Sequence, residues 1–271
     1  MINKSLLSHL GLAVQPPKPR TSGLTMVIDP GLPLAQFSDV VSSHHELIDF
    51  LKIGWGTCLV TGDIVREKLA LLEGHNIQGF FGGTLFELFV RVNDLEGYIK
   101  FCKDAGVKWV EASSGTLTLP DQEMAEHIAT LKDAGFNVFA EVGSKSVERS
   151  KALSAKDWLD SIAVYRAAGA DYLIMESRES GRCGIADEKG NLRPDIIRAI
   201  HDAGVPTETL VFEAATKQLQ VAFLTMHGQG VNLANIAPAD IVSVATLRQG
   251  SRSDTLGLFF DASRGVDVAA Q

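Results

Sequence analysis

The 271-residue chain is predicted to form a single (β/α)8 barrel with a short N-terminal extension, on three observations. Between residues 24 and 236 one unit keeps returning: a short apolar strand ending in a polar residue or glycine, a polar turn, then an amphipathic helix. Eight such strands can be read, with a helix in nearly every gap, the number at which parallel strands of this kind close on themselves. No linker-like segment interrupts the series, and no G-x-G-x-x-G or Walker fingerprint marks a doubly wound nucleotide-binding sheet.

In chain order the strands are "LTMVID", "IDFLKIG", "IQGFFGG", "VKWVEAS", "NVFAEVG", "DYLIMES", "TLVFEA" and "VNLANIA". The helix logic is clearest in "TLPDQEMAEHIATLKDAGF". Pro120 has no N–H to leave unpaired in a first turn, and Asp121 and Glu123 meet the positive end of the helix dipole. Met124, Ile128 and Leu131 line one face, and Gly135 supplies a left-handed cap. The same ending recurs at Gly106, Gly169 and Gly204, each shortly before a strand. Ahead of the first strand, "MINKSLLSHLGLAVQPPKPRTSG" reads as a short helix and a proline-rich arm, too short for a membrane span and without a convincing cleavage site. The expected division is an arm over 1–19, a barrel over 20–255 and a tail over 256–271.

Composition bounds the function. With 45% hydrophobic and 21% charged residues the chain is of ordinary globular type. A formal net charge of -8 and a pI near 5.4, with no basic arm or stripe, argue against nucleic acid as a partner and for small molecules. No apolar run is long enough to cross a membrane. Three cysteines (Cys58, Cys102, Cys183) in no metal-ligand spacing point to neither a disulfide scaffold nor structural zinc, which fits a reducing cytoplasm. A homo-oligomer is expected, as for many barrels, with no interface legible.

Charged residues near the strand ends carry the chemistry. Assigning the more uniformly apolar alternate positions to the helix-facing side turns Asp29, Lys52, Glu111, Glu141, Glu176 and Glu213 toward the barrel interior. Carboxylates crowded in one mouth repel each other, so the fold must protonate some or supply cations. Lys52 and Lys145 supply two, the latter presented by the "GSK" turn four residues after Glu141. The remainder suggests a divalent metal. Because every candidate ligand is an oxygen, Mg2+ is preferred, with Asp29, Glu111, Glu176 and Glu213 as ligands and Glu141 holding the metal or Lys145. Anion-binding groups surround the ring: Gly83 and Thr84 in "GGTLFE", Ser114 in "SSGT", Arg178, Ser180 and Arg182 in "SRESGR", and Lys217 at the start of the seventh barrel helix. Arg248 and Arg252 are expected to complement the dipole of a last helix turn.

Taken together, "GLTMVIDPG", "KIGWGT", "GGTLFE", "EVGSK", "ESRESG", "FEA" and "NLANIA" resemble the phosphosulfolactate synthase family across nearly the whole chain, with the N-terminal arm outside the match. The resemblance implies a barrel that adds sulfite to C3 of phosphoenolpyruvate with Mg2+, giving (R)-2-phospho-3-sulfolactate for coenzyme M biosynthesis. It also implies that Lys145, which follows "EVG", is the proton donor, and the inward-facing Lys52 and Glu141 are the other candidate catalytic residues. This chain reads "EVGSK" where archaeal members commonly read "EVGKK", and Cys183 interrupts its glycine-rich loop. Two other readings stay open: another barrel lyase acting on phosphoenolpyruvate or a related phosphorylated acid, and a non-catalytic, stress-associated relative.

Overall fold

Alternation along short parallel strands sorts the side chains into two apolar layers, one inside the barrel and one beneath the helices. A computed structural model describes residues 4–12, 14–178 and 180–259. Each run predicted as a strand is one, trimmed at its ends: β1 Thr25–Asp29, β2 Phe50–Ile53, β3 Gln78–Phe81, β4 Trp109–Ala112, β5 Asn137–Val142, β6 Tyr172–Met175, β7 Leu210–Glu213 and β8 Asn232–Ile236. Helix α1 (Lys4–His9) precedes them, and the crossovers carry α2 Leu34–His44, α3 Cys58–Thr61, α4 Ile64–Gly74, α5 Gly83–Arg91, α6 Leu95–Asp104, α7 Asp121–Asp133, α8 Val147–Ala152, α9 Ala155–Ala167, α10 Pro194–Asp202, α11 Lys217–His227 and α12 Ile241–Gln249. Gly106, Gly135, Gly169 and Gly204 all take the positive φ expected of them.

The fold is a single eight-stranded parallel (β/α)8 barrel, with hydrogen-bonded strand order β3-β2-β1-β8-β7-β6-β5-β4. At the remaining seam β3 and β4 lie side by side without a backbone ladder, so the barrel is nearly rather than fully closed. A side chain spans that seam: Glu111 on β4 accepts a hydrogen bond from the Gly83 N–H at the start of α5, at 2.8 Å. A Cβ on Gly83 would lie 2.2 Å from Ser113 Oγ and 2.9 Å from Glu111 Oε1. Any larger residue there would therefore force the two units apart.

Inside the barrel, Leu24, Met26, Phe50, Phe80, Phe139, Ile174, Val211 and Ala234 form one buried cluster, with Trp109 stacked on Phe139 at 4.6 Å between ring centroids. Outside, Val27, Leu51, Val110, Ala140, Leu173 and Phe212 join the helix residues Met124, Ile128, Trp158 and Phe223 in the larger core. Burial of Phe139 alone contributes about 2–3 kcal/mol. The interior cluster also sets a floor of low polarity beneath whatever lies one inward step higher.

The base of the barrel is fastened by arginines. Arg20, just after the expected arm, pairs with Asp49 at 2.9 Å, and Asp49 also accepts from the Thr25 N–H at 2.9 Å. Arg248 sits in the last turn of α12, as expected, and has a further role there. Its guanidinium is buried and donates to the carbonyls of Gln229, Val231 (2.7 Å) and Leu24 (3.3 Å), tying α12 to the entrances of β8 and β1. Burial pulls its pKa down to about 10. Arg252 lies beyond the helix and pairs with Asp254 at 3.2 Å. The last residues of the expected tail, from 260 on, lie outside the described residues.

Replacing Arg248 with leucine removes charged donors from three carbonyls, of which Leu24 keeps the Leu233 N–H, so Arg248→Leu is expected to lose about 2–4 kcal/mol of stability. Urea denaturation checks this, and an unchanged midpoint would remove Arg248 from the fastening of the base.

Candidate active site

One inward step above the apolar layer, the strands turn from hydrophobic to charged. Lys52, Glu111, Glu141, Glu176 and Glu213 follow Phe50, Trp109, Phe139, Ile174 and Val211 by two residues each, so alternation returns them to the interior at the C-terminal ends of the strands. All five are at most 4% exposed. With Lys145, from the turn after β5, they line a cavity of about 450 Å3 at the barrel mouth, the place where barrels of this class carry their chemistry.

Two cationic centres divide the acids. Lys52 Nζ lies 2.8 Å from Glu111 Oε2 and 3.7 Å from Glu213 Oε1. Lys145 Nζ lies 3.0 Å from Glu141 Oε2 and 3.8 Å from both Glu176 Oε2 and Glu87 Oε1. Glu213 is held further by the side-chain amide of Asn235 and by the N–H groups of Ser177 (3.0 Å) and Arg178 (3.1 Å). The Arg178 guanidinium donates to the Lys145 carbonyl at 3.0 Å, which ties the turns after β5 and β6 together.

Proton affinities follow from burial and crowding. Burial pushes the Glu141 carboxyl up, opposed by Lys145, and pushes Glu176 well above its ordinary value, reinforced by Glu141 and Glu213. Burial and mutual repulsion thus push both carboxyls of this pair toward the protonated form. Burial alone would lower both lysines, but Glu111 and Glu213 raise Lys52, and Glu141 and Glu176 lift Lys145 well above the usual range. Both lysines are thus charged at neutral pH.

Glu141, Glu176 and Glu213 present carboxylate oxygens within 4.8 Å of one another. Apart from the Lys145 ammonium, no donor among the described residues meets the buried oxygens of Glu141 or Oε2 of Glu176. Such hard, oxygen-only donors could hold a magnesium-like cation after small side-chain shifts, with waters completing its shell. Glu111 is less available, because one oxygen faces Lys52 and the other bridges the seam to Gly83.

Comparison with known proteins matches the chain to a family. The profile described as (2R)-phospho-3-sulfolactate synthase (ComA) matches residues 13–254. The phosphosulfolactate synthase of Bacillus subtilis is 41% identical over 249 residues, covering 92% of this chain and 98% of that protein. That of Methanothermobacter thermautotrophicus is 38% identical over 242 residues, covering 89% and 93%. The chain belongs to the phosphosulfolactate synthase family. A crystal structure of 3-hexulose-6-phosphate synthase superposes with a TM-score of 0.51 at 17% identity, covering 83% of this chain and 97% of that one. The YdjI aldolase of Escherichia coli K12 gives 0.53 at 14% identity, covering 88% and 84%. At such identities the likeness speaks for the barrel fold alone.

Within this phosphosulfolactate synthase family member, some residues expected at the mouth lie elsewhere. Asp29 is the main correction. It shares a side with Val27, but Val27 packs in the helix-facing core, so Asp29 points outward and Ile28, level with Lys52, faces the cavity. Asp29 instead pairs with the buried Lys68 of α4 at 2.5 Å and accepts from the Gly31 (3.0 Å) and Leu32 (2.8 Å) N–H groups. An acid–lysine pair under a helix produced the same apolar–acid alternation as a mouth residue. Gly83, Thr84 and Arg178 do line the cavity. Ser114 lines a separate space of about 60 Å3 with Asp121 and Tyr165. Ser180 is exposed, Arg182 borders an outer groove, and Lys217 turns away to Asp254 at 2.8 Å.

Other residues were passed over. Glu87, inside the quoted "GGTLFE", is buried on α5, and its only signal was an acid on an otherwise apolar helix face. Asn235 reaches Glu213 because the β1–β8 register slips by one residue, a bulge that alternation cannot foresee. Trp55, Arg178 and Asn235 all line the cavity with left-handed backbones (φ 52°, 59° and 55°). Non-glycine residues held there carry strain that is concentrated at functional sites.

These placements separate two acids. Glu176→Gln is expected to weaken Mg2+ binding ~10-fold or more, measured by calorimetry. Asp29→Asn should leave that affinity within about twofold while losing about 3 kcal/mol of stability, because Lys68 would be buried without its anion. A large loss of Mg2+ affinity in Asp29→Asn would contradict its outward placement.

Proposed function

We propose that this protein is a phosphosulfolactate synthase that adds sulfite to C3 of phosphoenolpyruvate with Mg2+, giving (R)-2-phospho-3-sulfolactate. The observation that carries the reading is Lys145, 3.0 Å from Glu141 within a cluster of three buried carboxylates, in a chain 41% identical to a named phosphosulfolactate synthase. Both substrates are multiply charged anions, and a mouth lined by four buried glutamates would repel them without added positive charge. Held by Glu141, Glu176 and Glu213, Mg2+ would supply that charge and stabilise negative charge developing on the substrate carboxylate.

The remaining work falls to side chains of this chain. The cavity of about 450 Å3 is of a size suited to two small anions. Arg178 and the N-terminus of α5, with Gly83 and Thr84, offer donors to phosphate or carboxylate oxygens. Attack of the sulfite sulfur on C3 forms a carbon–sulfur bond and moves the C2–C3 π electrons toward C2 and the carboxylate. The Lys145 ammonium then transfers a proton to C2. Because surrounding carboxylates keep that lysine protonated, the donor is loaded before substrate arrives, and the carbanion-like C2 is basic enough to take the proton downhill. Lys52, locked between Glu111 and Glu213, contributes charge from the opposite side.

Purified protein with Mg2+, phosphoenolpyruvate and sulfite should consume the enol absorbance, and excess EDTA should stop it; turnover undiminished by EDTA would overturn the metal's part. Lys145→Ala should keep the fold but lose roughly two to four powers of ten in kcat. Lys145→Arg should fail similarly, since a guanidinium keeps the charge but scarcely releases a proton. Rates near those of the parent in Lys145→Ala would pass the proton to Lys52.

A further inference from the structure

Glu87 holds a position that the proposed chemistry does not use. It lies on α5, is 2% exposed, and gathers four donors from the turn after β4: the hydroxyl of Ser113, the N–H groups of Gly115 (3.1 Å) and Thr116 (2.9 Å), and the hydroxyl of Thr116. A carboxylate this well satisfied is a fixed point rather than a mobile one. What it fixes is the floor under Lys145. The Gly115 carbonyl accepts from the Lys145 N–H at 3.2 Å. The lysine stem also rests on this glycine, for a Cβ there would lie 2.5 Å from Lys145 Cδ, 2.7 Å from its Cγ and 2.9 Å from Glu141 Oε1. The bonds cross the seam at which β3 and β4 share no backbone ladder, so they stand in for strand pairing where the lysine needs a rigid support.

We infer that Glu87 is a positioning residue: by clamping the 113–116 turn to α5 it sets the height and direction of the Lys145 ammonium at the barrel mouth. The inference rests on Lys145 being the proton donor of the proposed addition. Displacing a donor by as little as an ångström costs about a hundredfold in rate. Glu87→Gln replaces one acceptor oxygen with an NH2 group that faces donors, so the turn should lift while most of the shape is kept.

The test is a double-mutant cycle with kcat and KM measured separately. Glu87→Gln is expected to lower kcat about ten- to hundredfold with KM for phosphoenolpyruvate within about threefold. In the Lys145→Ala background the same substitution should change kcat by less than about twofold, because a residue acting through the lysine has nothing left to act on. A full, multiplicative loss in that background, or a loss confined to KM, would overturn the inference. Should Glu87→Gln not fold, the pair Ser113→Ala with Thr116→Val loosens the clamp from the turn side and takes its place in the cycle. A second measurement needs no turnover: the rate at which Lys145 is acylated by an amine-reactive reagent, followed by mass spectrometry, is expected to change severalfold in the clamp variants. An unchanged rate defeats the positioning role. A parent protein without synthase activity defeats the proposed reaction instead, and the acylation result then decides the positioning by itself.

Discussion

Five buried carboxylates, four lining the barrel mouth and Glu87 beside it, are the constraint on which the rest of this site depends. Glu87, Glu111, Glu141, Glu176 and Glu213 are each at most 3% exposed. Two unit charges about 4 Å apart repel by about 4 kcal/mol even at a moderate effective dielectric constant. The architecture around them reads as a set of answers to that repulsion. Lys52 and Lys145 take one side each, and burial with crowding raises the proton affinity of Glu141 and Glu176. Backbone N–H groups of Gly83, Gly115, Thr116, Ser177 and Arg178 are turned onto carboxylate oxygens. The left-handed backbone of Arg178 belongs to the same pattern, since its N–H reaches two of the acids. Strain in that turn is offset by charge-assisted hydrogen bonds that an ordinary turn would not make.

The same acids stabilise the barrel as well as its chemistry. At the seam between β3 and β4, Glu111 joins Gly83 on one side and Lys52 on the other, and Glu87 joins α5 to the turn after β4. Closure of the barrel and placement of the two lysines are therefore one problem. Beneath them the apolar interior cluster excludes water, which strengthens each of these interactions and makes any unpaired member costly.

Fold and chemistry separate cleanly here. The 3-hexulose-6-phosphate synthase barrel superposes over most of both chains at 17% identity, and a shared barrel does not fix a shared reaction. What distinguishes this chain is the charge arrangement one step above the floor: three carboxylates within 4.8 Å, a protonated lysine beside them, and an arginine tying the adjacent turns. The surplus of acids over lysines leaves the mouth with negative charge that a bound cation would offset.

The sequence by itself determined the eight strands, their helices and the glycine caps, because each rests on local periodicity and backbone preference within one unit. It also determined that Lys52, Glu111, Glu141, Glu176 and Glu213 face inward, since alternation from Phe50, Trp109, Phe139, Ile174 and Val211 is a property of a single strand. Asp29 shows where that logic stops. Both faces of β1 are apolar, and only packing against α4 and Lys68 reveals which is the outer one. Asn235 was hidden by a register slip between strands distant in sequence, and Glu87 by a helix whose neighbouring turn is 26 or more residues away. Ser114 and Arg182, in turns, and Lys217, at the start of α11, lie outside the cavity lining, placed by tertiary contacts such as Lys217 with Asp254. A period along the chain fixes which side of a strand a residue occupies; only the closing of the barrel decides which side is the inside and which turns lean over it.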